Sequence, residues 1–236
     1  LSEKYRTLDN FNLLEAALPV IQETGCEVVS SEVTPDRLYL KALMPKIEAE
    51  IKKGDIVQAG LCISNSETGL ASLRVEPLIY RLVCTNGMIA NTSMKKYHVG
   101  RGNAVEEFYE VLSDKTKLLT DAALWHQVQD IIRSAFNKDV FTALVDKMKN
   151  ATDKVIVKPV QEVIEVAQKK FGYNDKQGQS IMEHLLKGND LSQYGFMNAV
   201  TRTAQDQLDY HQATVLERMG GEILDLNPTQ WQAIAA

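Results

Sequence analysis

Near residue 104 the apolar pattern of this chain changes period, and that change constrains the fold more than any single motif. Upstream, short runs alternate apolar and polar residues, as half-buried strands do; downstream, apolar residues recur every three or four positions, as on helix faces. Cys26–Ser31 and Arg37–Met44 flank Thr34-Pro35-Asp36, which predicts a β-hairpin. Asp55–Ser64 predicts a third strand, and Ser64–Gly69 a polar turn. Ala71–Val75 and Leu78–Cys84 carry further strand character around Pro77, which suits an edge or a bulge. Asn86-Gly87 predicts the turn that follows. The strands are preceded by a helix over 9–24, capped by Asp9, kinked at Pro19 and stopped by Gly25. Downstream helices are expected over 104–112, 118–149 (broken near Asn137), 159–172, 176–186 and 196–219. Gly172, Gly188 and Gly220-Gly221 stand at their ends, and Asn227-Pro228 opens a short last helix. The expected class is α+β, with a mostly antiparallel sheet and one flanking helix over 1–103 and a helical region over 104–236 packed on it.

Composition narrows the partners. The chain has 236 residues and a net charge of −5. Residues 1–110 hold 12 basic and 15 acidic side chains, and 111–236 hold 14 and 16, so neither half is a basic module. Bulk electrostatic coating of nucleic acid is excluded, and any such contact needs a local groove. Cys26, Cys62 and Cys84 show no metal or redox spacing, which predicts reduced thiols in a cytoplasmic protein. No apolar run reaches membrane-spanning length. The first residue is Leu, so the start is expected upstream of it.

The cations that do cluster lie in Met94-Lys95-Lys96-Tyr97-His98-Val99-Gly100-Arg101-Gly102-Asn103. Lys95, Lys96, His98 and Arg101 could track phosphates, and Tyr97 could stack on a base, as in single-strand binders. A solvated loop is the plainer reading. Arg74 and Arg81 sit in strand context, either facing a groove or paired with a carboxylate such as Glu76 or Glu67. Asp206 and Asp209, on the expected helix through 198–219, would share a face and could hold a metal with a histidine. No second ligand set converges on them. Neither phosphate-binding glycine pattern occurs, and no GxSxG; Cys84, in an apolar run, would resist ionisation. No catalytic residue, metal or cofactor is indicated.

The segment Arg81-Leu82-Val83-Cys84-Thr85-Asn86-Gly87-Met88 resembles the core of a phage- and plasmid-associated protein family of unknown function. Leu1-Ser2-Glu3-Lys4-Tyr5-Arg6, Ile63–Gly69, Ser72–Val75, Tyr97–Arg101, Asn198–Arg202, Asp209-Tyr210 and Leu216–Gly221 resemble other stretches of it. That resemblance implies a phage or plasmid gene acting in the bacterial cytoplasm. The order of helix, hairpin, strands and helices is also similar to that of single-strand annealing recombinases, which form rings around a basic groove. The expected function is single-stranded DNA binding and annealing by a homo-oligomer without ATP. Arg74, Arg81, Lys95, Lys96, Tyr97, His98 and Arg101 would line the groove. The alternatives are a non-enzymatic interaction or structural protein that binds a protein partner through its helical half, and a metal-dependent nuclease.

Overall fold

The computed structural model describes residues 9–90 and 112–236, apart from the side chain of Asp121. The helix expected over 104–112 and the cationic segment lie outside the described residues. Helix α1 (Asn10–Glu23) starts where the Asp9 carboxylate accepts from the Phe11 and Asn12 amides, and it ends as Gly25 turns to φ +74°. Pro19 sits inside it on an exposed position, where the carbonyl left without a donor can face water.

Five strands follow: β1 (Glu27–Val33), β2 (Leu38–Lys52), β3 (Asp55–Asn65), β4 (Arg74–Arg81) and β5 (Asn86–Ile89). They form one antiparallel sheet in sequence order. Thr34 and Arg37 close the first hairpin, with the Thr34 amide donating to the Arg37 carbonyl at 2.8 Å. Two strands run through prolines: β4 through Pro77, expected at an edge or a bulge, and β2 through Pro45, just past the expected strand Arg37–Met44. The β1–β2 register stops at Glu27 opposite Leu43, so Pro45 lies where β2 has lost that neighbour. The β4–β5 register stops at Leu78 opposite Ile89, so Pro77 lies just past the end of β5. A proline is tolerated there because no ladder donor is needed on the vacant side.

The chain divides into two compact units, one formed from residues within 1–45, 60–77 and 92–137, the other from 46–59, 78–91 and 138–236. β2, β3 and β4 thus contribute a half to each. In the first unit, β2 from Leu38 to Met44 and β3 from Gly60 to Asn65 are buried on both faces. That matches their nearly continuous apolar sequence. Here α1 packs on α2 (Asp114–Ala135), and Leu13, Ala17, Val20, Ile21, Val128 and Ile132 are buried.

In the second unit the same strands alternate. Lys46, Glu48, Glu50 and Lys52 are exposed, while Ile51, Val57 and Ala59 enter a core built with the helices. Those helices are α3 (Lys138–Thr152), α4 (Val160–Phe171), α5 (Asp175–Gly188), α6 (Gln193–Thr203), α7 (Tyr210–Leu224) and α8 (Pro228–Ala235). Core side chains such as Val163, Ile181, Phe196 and Ile223 are fully buried. Each contributes about 1.5–3 kcal/mol by leaving water. The break expected near Asn137 separates α2 from α3, and Asn227 and Pro228 cap and open α8 as expected.

Two helix ends differ from expectation. The helix expected over 196–219 is two: α6 closes in a 3-10 turn, Ala204–Asp206, and Asp209 caps α7 after a short extended link. Gly220-Gly221 stands inside α7 and not at its end. A Cβ at Gly220 would collide with Thr201 Cγ2 on α6 and press on Met88 Cγ of β5 at 3.3 Å. Close approach of elements, and not termination, explains that glycine. Gly188 is the last residue of α5, and Asn189 supplies the left-handed stop at φ +50°. Among the described residues no helix is long and apolar enough to cross a membrane.

Candidate functional site

The second unit gathers its polar chemistry at the β4–β5 hairpin. Arg81 pairs with Asn86 across the ladder, so the turn is Leu82-Val83-Cys84-Thr85, and Asn86-Gly87 opens β5. The sequence signal for a turn at Asn86-Gly87 is overridden by packing. The Asn86 amide nitrogen donates to Thr201 Oγ1 of α6 at 2.6 Å, and a Cβ at Gly87 would lie 2.9 Å from Leu78 Cδ1. An asparagine buried for that bond and a glycine needed for that clearance both belong in the strand.

Arg81 ends β4 and Asp55 opens β3, which places a guanidinium beside a carboxylate that is only 6% exposed. Nε donates to Oδ1 at 2.6 Å, Nη2 to Oδ2 at 2.8 Å, and Nη1 to the Cys84 Sγ at 3.1 Å. This is a two-pronged pairing whose planar match only arginine provides. Tyr194 of α6 donates its hydroxyl to Asp55 Oδ2 at 2.9 Å, and its ring lies 5.9 Å from the Arg81 guanidinium and 5.7 Å from Lys52 Nζ. Lys52 in turn reaches Asp190 at 2.8 Å. Burial foremost, then the Asp55 charge, pushes the Tyr194 phenol well above its ordinary pKa, so it stays a donor. Burial opposes the Arg81 charge, but the Asp55 hydrogen bond and charge outweigh it and raise its pKa.

The turn itself is held from α6 and the 3-10 turn after it. Arg202 Nη1 donates to the Cys84 carbonyl at 2.8 Å, and Gln205 Nε2 donates to the Thr85 carbonyl. Gln205 Oε1 also accepts from Arg202 Nη1. Thr85 takes φ +53°, a left-handed conformation that costs a β-branched residue on the order of 1–2 kcal/mol. The clamp offsets that cost. At the tip, Leu82 and Val83 are exposed.

A second cluster lies between α5 and the 3-10 turn. Asp206 Oδ2 accepts from Ser180 Oγ at 2.7 Å and lies 2.8 Å from His184 Nε2, while Ser180 Oγ is 3.1 Å from Thr203 Oγ1. Burial would raise the Asp206 pKa, but the Ser180 and His184 hydrogen bonds and the Arg202 charge outweigh it and hold it below the ordinary carboxylate value. Serine and histidine share one carboxylate oxygen, and the serine proton points at the acid. That arrangement is not a Ser–His relay, in which the imidazole would accept the serine proton.

The expected Asp206–Asp209 face is not present. Asp209 accepts from the His211 amide at 2.8 Å as the cap of α7, and the break over 207–209 separates its role from that of Asp206. Among the described residues, no group of three or more His, Cys, Asp or Glu is placed to hold a metal ion.

The candidate DNA-contacting residues divide three ways. Arg81 is bound to Asp55. Arg74, in the first unit, lies 3.9 Å from Glu76 with its side chain 42% exposed. Lys95, Lys96, Tyr97, His98 and Arg101 lie outside the described residues. Asp55, Tyr194, Thr201, Gln205 and Ser180 carry the polar geometry without a motif to announce them. Only Asp55 left a trace, as a carboxylate opening an apolar run after a Lys-Lys-Gly turn. Glu67, a partner considered for the strand arginines, instead accepts from the Asn10 amide at 2.5 Å.

No curated protein and no solved structure matches the chain. One family model does, over residues 1–214, described as a domain of unknown function, DUF932. That span takes in the hairpin, its Asp55–Tyr194 anchor and the Asp206 cluster, and the chain belongs to the DUF932 family.

Proposed function

We propose that this protein binds single-stranded DNA through the cationic stretch after β5 and anneals it as an oligomer, without ATP, in phage or plasmid recombination. One observation carries the reading: in a chain of net charge −5, Lys95, Lys96, His98 and Arg101 fall within seven residues and enclose Tyr97. In sequence the stretch comes after β5, which is tied to α6 by Asn86–Thr201 and to β4 by the hairpin register. Backbone contacts would then leave bases free to pair with a second strand. Arg81 enters as the residue that anchors the hairpin and not as a phosphate ligand, because its guanidinium is committed to Asp55. Arg74, less firmly paired, is available for a further contact.

Fluorescence polarisation with a labelled oligonucleotide across salt concentrations tests this. Three or four phosphate contacts per chain give a slope of log affinity against log salt of about −2 to −3 for a single strand. Lys95→Ala/Lys96→Ala should flatten that slope by about 1.4, and wild-type protein should speed pairing of complementary strands without nucleotide. Absence of binding at low salt overturns the proposal.

A further inference from the structure

The two polar clusters of the second unit share the 3-10 turn Ala204–Asp206. Gln205 and Asp206 are neighbours in it, yet their side chains serve different elements. Gln205 Nε2 donates to the Thr85 carbonyl of the β4–β5 hairpin and reaches the Cys84 carbonyl at 3.4 Å. Asp206 accepts from Ser180 and meets His184, both on α5. Just beyond, Gln207 Oε1 accepts from Gln177 Nε2 of α5 at 3.3 Å. One flank of the turn therefore holds the hairpin, and α5 holds the other.

The 3-10 turn has little hold of its own. Hydrogen bonds in such a turn are poorly aligned, and the one from the Gln207 amide to the Ala204 carbonyl spans 3.3 Å. Side chains on either flank must supply its position. The hairpin turn is no more self-sufficient, because Thr85 stands at φ +53°. A residue in that region stays there only while its surroundings impose it. The Asp206 side chain is 48% exposed, so each bond to α5 is weak enough to break and re-form against water. Weak anchors arranged in series make the release of one end felt at the other. We propose that the 3-10 turn is a latch through which α5 governs local opening of the hairpin turn Leu82–Thr85. Opening parts the Cys84 thiol from Arg81 Nη1, its partner in the closed turn.

Two probes read that opening in the full chain. The Leu82 amide donates to the Ile56 carbonyl at 3.0 Å, so it exchanges with solvent only when that end of the hairpin parts. Cys84 is partly exposed while Cys26 and Cys62 are buried, so a thiol reagent reports on Cys84 first. Asp206→Ala should speed Leu82 exchange and Cys84 labelling about two- to fivefold. Ser180→Ala should speed them less, since it leaves the carboxylate to His184. Gln205→Ala should act like Asp206→Ala, and the two together should do little more than either, because one cut already opens the latch. Asn227→Ala, which uncaps α8 away from the turn, should leave both rates unchanged. Circular dichroism checks that each variant folds, and Ser180→Ala, the mildest change, carries the test should Asp206→Ala fail to fold. Wild-type rates in the Asp206 and Ser180 variants, full additivity with Gln205→Ala, or an equal rise in Asn227→Ala overturns the proposal.

Discussion

Asp55 and Asp206 each meet a hydroxyl and a basic side chain, yet they do opposite work. Asp55 is almost sealed from solvent and binds an arginine from β4 and a tyrosine from α6, so it joins the sheet part of the second unit to its helices. Asp206, with a side chain 48% exposed, binds Ser180 and His184 on α5, and water competes for every bond. The same carboxylate chemistry is structural glue in one place and a surface arrangement in the other. Burial, and not partner count, sets the difference.

Removing Asp55 should expose that difference most. Asp55→Ala leaves the Arg81 charge half-buried without its counter-ion and should cost about 3–5 kcal/mol in denaturant unfolding. Adding Arg81→Ala should cost less than the sum of the two single changes, because the second removes the stranded charge. Tyr194→Phe deletes one donor to a carboxylate that keeps Arg81, so about 1.5–3 kcal/mol should be lost with the fold intact.

Gly220→Ala tests whether packing or propensity rules α7. Alanine should gain about 1 kcal/mol as a helix former, but overpacking against Thr201 costs about 1–3 kcal/mol. The melting temperature should fall, and Thr201→Ser in the same chain, by removing Cγ2, should restore much of it while keeping the hydroxyl bonded to Asn86.

Asp206→Asn should have the smallest effect, at most about 1 kcal/mol near neutrality after solvent screening. Its sign has a pH signature. A carboxyl with a lowered folded pKa stabilises fully above its unfolded pKa, and that contribution fades as pH falls through the folded value. Wild type should therefore lose stability relative to Asp206→Asn between the ordinary carboxylate range and stronger acid. Parallel acid-unfolding curves would place the Asp206 bonds outside the fold's energetics.

Legibility followed the range of the interactions. Asp9, Gly25, Gly172 and Asn227-Pro228 act through bonds to residues a few positions away, and each stands where local pattern put it. The turn at Asn86-Gly87 and the helix stop at Gly220-Gly221 were misread for one reason. Each residue answers to a partner more than a hundred positions off or on another element, Thr201 for Asn86 and Thr201 with Met88 for Gly220. The strand expected over Arg37–Met44 is longer in the fold, running on through Pro45 to Lys52, because its β1 neighbour stops opposite Leu43. For the candidate site, Arg81 is visible in the sequence as a cation in a strand, but its ion pair is with Asp55, farther along the chain than Glu76 or Glu67. Nothing in linear spacing relates position 81 to 55, let alone 194.

From sequence alone came the class, α+β with strands first, because burial periodicity is written locally in apolar spacing. The acidic balance and the isolated run of cations were likewise plain, being matters of count and position. Folding decided which polar residues meet: that Arg81 is held by Asp55 and Tyr194, and that Asp206 and Asp209 serve separate elements. Such pairings cross long stretches of chain, and only the packing that closes those loops can select among chemically equivalent partners.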